Sequence, residues 1–106
     1  MSFRVVFRNG PKVEKLSART LEEALAVLED RCRAVGGLDA VDVRFRTFEP
    51  IQQVAARAEL RGGAVPAGVD VRGDGSAEAW TGRVRRTPVA QQPGEDAYAA
   101  LRRVVS

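Results

Sequence analysis

Apolar and polar residues alternate from Phe3 to Arg8. Phe3, Val5 and Phe7 fall on one side, Arg4 and Arg8 on the other. That two-residue period predicts a strand with one buried face. Asn9-Gly10-Pro11 predicts a turn. Residues 13–16 predict a short return strand at a sheet edge, with Lys12, Glu14 and Lys15 exposed.

The period changes after Thr20. Leu21, Ala24, Leu25, Leu28, Cys32 and Val35 recur at helical spacing, so residues 20–35 predict an amphipathic helix. Thr20 and Glu23 have capping-box spacing, in which hydroxyl and carboxylate satisfy free backbone amides of the first turn. Glu22 and Glu23 sit at the positive end of the helix dipole, and Arg31 and Arg33 near the negative end. Gly36-Gly37 supplies the stop, since glycine adopts the left-handed cap without strain.

Alternation returns at residues 41–48, with Val41, Val43 and Phe45 inward and Asp42, Arg44 and Arg46 outward. Glu49-Pro50 predicts a turn, and residues 51–61 alternate again. A hairpin about that turn pairs Phe48 with Ile51 and Asp42 with Arg57, placing apolar residues together and opposite charges opposite one another. Gly62 to Pro66 predicts a loop and residues 69–72 a strand. Gly73-Asp74-Gly75-Ser76 is a hairpin signal, with residues 77–86 returning. Residues 87–94 form a connection. Residues 95–105 predict a closing helix with Ala97, Leu101 and Val104 or Val105 buried.

The expected fold class is α+β: a mostly antiparallel sheet of about five to six strands with two helices on one face, in the order β-β-α-β-β-β-β-α. The 106 residues fit a single domain, 1–106. Chains of this size bury a core without disulfides or metals.

Composition narrows the chemistry. There is no histidine, which removes the side chain most used for acid–base catalysis near neutral pH and every Ser-His or Cys-His nucleophile. One cysteine and no histidine exclude a zinc site built from those ligands. Cys32 falls on the apolar helix face, where a thiol behaves as a small hydrophobe. Asp70, Asp74 and Glu78 cluster about one hairpin, but lack the ligand spacing of an EF-hand loop. No catalytic residue, metal ligand or cofactor is therefore assigned, and a non-enzyme is expected; a carboxylate-based enzyme is the less favoured reading. Met1-Ser2 leads straight into the first strand and no apolar run approaches the roughly 20 residues of a membrane span, so a cytoplasmic protein is expected.

Charge adds one feature. The net charge is only +3, but fifteen of the 17 basic residues are arginine. Arginine offers a planar fork for carboxylate or phosphate. Abundant Ala, Val, Gly and Arg together also fit the codon bias of a GC-rich genome and an ordinary solvated surface. Arg44, Arg46, Arg57 and Arg61 are expected on one sheet face, with Arg83, Arg85 and Arg86 extending the basic stretch. Trp80 has both a core reading and an interface reading, because one residue of loop length decides its face.

From Thr20 onward the element order resembles that of double-stranded-RNA-binding domains with an extra strand. That family carries a Lys-rich cluster at the start of its last helix, where this chain reads Pro93-Gly94-Glu95-Asp96-Ala97-Tyr98, which is acidic. The resemblance is one of topology and no family is assigned. The expected function is a small binding or assembly domain, homo-oligomeric through its sheet or with a protein partner. Nucleic-acid binding through the arginine face is the alternative.

Overall fold

The computed structural model describes residues 2–35, 41–43, 46–48, 53–83 and 85–106. Its main feature is a six-stranded antiparallel sheet in the order β2-β1-β5-β6-β7-β8. The strands are β1 (Phe3–Asn9), β2 (Lys12–Ala18), β5 (Val54–Arg61), β6 (Ala67–Arg72), β7 (Ala77–Thr81) and β8 (Thr87–Pro88). Helix α1 (Leu21–Arg33) packs on β1, β5 and β2, and α2 (Ala97–Val105) on β7 and β6. The expected fold class and element order are therefore observed, with β2 at the sheet edge.

Both helices cover the same sheet face. Val5, Phe7, Ala56, Ala58, Leu60, Val69, Val71 and Ala79 point into one cluster with Leu25, Leu28, Cys32, Tyr98 and Leu101. Leu28 and Leu101 are the largest fully buried side chains. Each contributes about 1.5–3 kcal/mol relative to an exposed position. The small residues Ala56, Ala58 and Ala79 let the helices sit close to the sheet.

Helix α1 begins where expected. Thr20 Oγ1 accepts from the Glu23 amide at 3.1 Å. The Glu23 carboxylate reaches back one residue further than a standard capping box, accepting from the Arg19 amide at 3.2 Å. The predicted stop at Gly36-Gly37 lies outside the described residues. Helix α2 starts two residues later than predicted, because Asp96 is its N-cap and accepts from the Ala99 amide at 2.8 Å. Val104 stays exposed, while Tyr98 and Ala100 join Ala97 and Leu101 on the buried side.

The two helices are tied by charge. Glu29 accepts from Arg33 and from Arg102, both at 2.7 Å. Arg33 also reaches Asp96 at 3.0 Å and lies over the Tyr98 ring at 4.6 Å. Glu29 is held below the usual carboxylate range, first by the Arg102 hydrogen bond and then by that of Arg33.

One predicted pairing is corrected. Residues 41–48 do not form one strand against residues 51–61. Instead β3 (Val41–Val43) pairs with β4 (Arg46–Phe48) as a separate two-stranded sheet. Asp42 lies opposite Thr47, and Phe48 opposite Val41. The predicted turn at Glu49-Pro50 and partner Ile51 lie outside the described residues. Strand β5 pairs with β1 on one side and β6 on the other, so Arg57 lies opposite Arg8 and Asp70. The physical reason is burial: between β1 and β6, both flanks of β5 gain hydrogen bonds and Ala56, Ala58 and Leu60 face the helices. The last predicted strand also ends early, at Thr81, and the predicted connection carries a short strand, β8, that pairs antiparallel with β7.

Candidate functional site

The register of the sheet fixes what its second face carries. Arg4, Val6 and Arg8 alternate with the buried side of β1, and Lys15 lies opposite Val6. Arg61, Glu59 and Arg57 lie beside Arg4, Val6 and Arg8 on β5. Asp70 follows opposite Arg57 on β6, and Glu78 opposite Asp70 on β7. Arg72 shares this side and reaches Glu78 at 3.3 Å. Among the described residues no helix or strand packs broadly across this face, and its long charged side chains surround Val6, which is fully buried outside the helix-side cluster.

The face therefore presents Arg4, Arg8, Lys15, Arg57, Arg61, Arg72 and Arg86 against Glu59, Asp70 and Glu78 among the described residues. Basic groups outnumber acidic ones by more than two to one. They are also unevenly spread. The carboxylates lie on β5, β6 and β7 and are engaged by Arg57, Arg61, Arg72 and Arg86. Arg4, Arg8 and Lys15, on β1 and β2, are exposed and stand beside no face carboxylate within ion-pair distance.

Asp70 organises the centre. Arg57 grips it with both prongs, Nε to Oδ1 at 2.7 Å and Nη2 to Oδ2 at 2.9 Å. Trp80 Nε1 donates to the same Oδ1 at 3.0 Å. The fork raises the Arg57 pKa further, keeping the guanidinium charged. The two-pronged geometry gives the sheet face a rigid point in an otherwise long-chained surface.

Trp80 is buried, but not in the core beneath the helices. It is 6% exposed, yet it lies on the open face and outside the helix-side cluster. It faces Gly68 on β6, where a Cβ would overlap the Ala58 carbonyl oxygen and lie 2.5 Å from Trp80 Cζ2. The Arg86 guanidinium covers the ring at 4.7 Å from its centroid. The indole is thus layered between a bare backbone and an arginine.

The predicted site residues divide into groups. Arg57 and Arg61 share the open face as expected. Arg46 lies on β4, in the separate two-stranded sheet and not on a strand of the six-stranded one; Arg44 lies outside the described residues. Arg83, Arg85 and Arg86 belong to the connection after β7 and not to its strand. Arg83 and Arg86 meet Arg61, Glu59 and Trp80 around a cleft of about 500 Å³ at one end of the sheet, while Arg85 is exposed and lines no part of it. Sequence reasoning did not single out Arg4, Arg8, Lys15 or Arg72 as site residues. Their signal was the alternation of β1, which already turned Arg4 and Arg8 away from the core.

The hairpin acids do not converge. Asp70 belongs to Arg57 and Trp80, Glu78 to Arg72, and Asp74 accepts from the Ser76 amide and hydroxyl at the turn. Asp74 is thereby held below the usual range. Burial pushes the Cys32 thiol up to about 12 and the Tyr98 hydroxyl up to about 12. Neither group is a ready nucleophile at neutral pH. Among the described residues, no helix is long and apolar enough to cross a membrane.

The chain matches no known protein family, no characterised protein and no solved structure. The site is thus defined by its own geometry.

Proposed function

We propose that this chain is a non-enzymatic binding domain whose open sheet face docks an acidic segment or surface of a protein partner. The observation that carries the reading is the asymmetry of that face. Its β1–β2 half offers exposed Arg4, Arg8 and Lys15, while its β5–β7 half is an ion-paired floor braced by Arg57 and Asp70. A basic patch beside a fixed mixed-charge lattice suits a protein surface that presents carboxylates to one half and both signs to the other.

Two alternatives fit less well. Two copies packed face to face would oppose surfaces of the same sign, which costs association energy. Single-stranded nucleic acid is read by stacking on open aromatic rings. Here the Trp80 ring is covered by Arg86 and backed by Gly68. The unpaired, buried thiol of Cys32 suits the reducing cytoplasm as the compartment.

The test is a binding titration with a fluorescein-labelled glutamate-rich peptide and a labelled oligonucleotide of equal length, at physiological salt. The peptide is expected to bind, and the double variant Arg4→Glu with Arg8→Glu to weaken it by about tenfold or more while circular dichroism stays unchanged. Binding of the oligonucleotide alone would make nucleic acid the partner and overturn the reading. So would an unchanged peptide affinity in the double variant.

A further inference from the structure

The cleft beside Trp80 is a second, separate feature. It lies where the loop after β5 meets the connection after β7, and Gly82 ties the two by donating to the Pro66 carbonyl at 2.9 Å. Its volume of about 500 Å³ falls in the size range of small-molecule sites. Pro66 and the edge of Trp80 give it apolar wall, and Arg61, Arg83 and Arg86 give it three guanidinium groups.

Charge decides what the cleft accepts. Glu59 is its single carboxylate, and it is shared by Arg61 at 3.1 Å and Arg86 at 3.6 Å. Three guanidinium charges against one carboxylate leave two positive charges. Arg83 is exposed and has no ion-pair or hydrogen-bond partner among the described residues, so its donors are available. Arg86 is held in place by stacking on Trp80, which sets the position of its fork before any ligand arrives.

We propose that this cleft binds a small phosphate monoester, with its dianionic phosphate between Arg83, Arg86 and Arg61 and its organic body against Pro66 and Trp80. A phosphate monoester carries nearly two negative charges at neutral pH and matches the excess left by Glu59. Arginine forks meet its oxygens in pairs, so orientation as well as charge is specified. The proposal is independent of the sheet-face docking: Arg61 and Arg86 belong to both, but Arg4, Arg8 and Lys15 belong only to the face.

Trp80 is the sole tryptophan, so its emission reports on the cleft directly. The experiment titrates the protein with phenyl phosphate, inorganic phosphate and benzoate at constant ionic strength, exciting tryptophan selectively. Phenyl phosphate is expected to give a saturable change, at least about tenfold tighter than either control because only it fills both halves of the site. Arg83→Ala is expected to weaken it by about tenfold without altering thermal unfolding, since one charged hydrogen-bonding group is lost from an exposed side chain. An Arg8→Glu, Lys15→Glu variant should titrate as wild type, since neither residue lies opposite Arg61, which separates this site from the docking face. No saturation by about 10 mM, benzoate or inorganic phosphate matching phenyl phosphate, or an unchanged affinity in Arg83→Ala would each overturn the proposal.

Discussion

Substituting Gly68 by alanine tests how Trp80 is seated. The added Cβ would overlap the Ala58 carbonyl oxygen and lie 2.5 Å from Trp80 Cζ2. Ala58 belongs to β5, which is hydrogen-bonded to a neighbour on each side, so the carbonyl has little freedom to retreat. The ring must lift instead, stretching its bond to Asp70 and its stacking with Arg86. Overpacking of this kind costs about 1–3 kcal/mol. Replacing glycine in a strand returns about 0.5–1 kcal/mol of backbone entropy. The net expectation is a loss centred near about 1 kcal/mol, which lowers the urea midpoint by about 0.5–1 M. Gly63→Ala is the control, since its Cβ would meet only the Val65 carbonyl oxygen at 3.8 Å; it should stay within about 0.5 kcal/mol of wild type. Urea unfolding followed by Trp80 emission and by circular dichroism measures both. A Gly68→Ala midpoint equal to that of Gly63→Ala, with unshifted native emission, would refute the layered arrangement.

Three further outcomes follow from the same geometry. Asp70→Asn removes the carboxylate from the Arg57 fork and is expected to destabilise by about 1–2 kcal/mol in thermal unfolding, the partly buried setting leaving the loss less screened than at an open surface. Cys32 should resist a thiol reagent at pH 8 in the native state and react at once in denaturant, because burial first of all drives its pKa up to about 12; rapid native labelling would contradict its burial. Acid should destabilise the fold. Arg102 and Arg33 lower the pKa of Glu29, Arg103 that of Glu95, and the Ala99 amide first of all that of Asp96. A lowered folded-state pKa gives stability that is complete above the unfolded values, 4.5 for the glutamates and 3.8 for Asp96, and is lost as pH falls below them. Melting temperature measured from pH 7 to pH 3 should therefore fall mainly below about pH 4.5.

Local features were legible in the sequence because their causes are local. The alternation of Phe3, Val5 and Phe7, the Thr20 cap, the apolar stripe of α1 and the Gly73–Ser76 turn each depend on residues within a few positions of one another. Strand pairing depends on distant partners. Arg57 has two acids able to oppose it, Asp42 nearby and Asp70 across the next loop, and charge pairing alone does not choose between them. Burial chooses, since β5 at the centre of the sheet covers more apolar surface than a local hairpin would. Trp80 was undecided for a related reason. Its partner Gly68 lies just before the stretch that alternation marks as a strand, and a glycine inside a strand is itself a sign of close approach. The cleft has no linear motif at all, because it joins Glu59 and Arg61 to Arg83 and Arg86 only when two loops meet.

The open sheet face is the proposed docking surface. Amide chemical-shift mapping with a glutamate-rich peptide tests it most directly. Saturable shifts are expected along β1, β2 and β5, centred on Arg4, Arg8, Lys15 and Arg57, with the exposed side of α1 and α2 unmoved. Shifts confined to the helices, or no shifts at physiological salt, would contradict it.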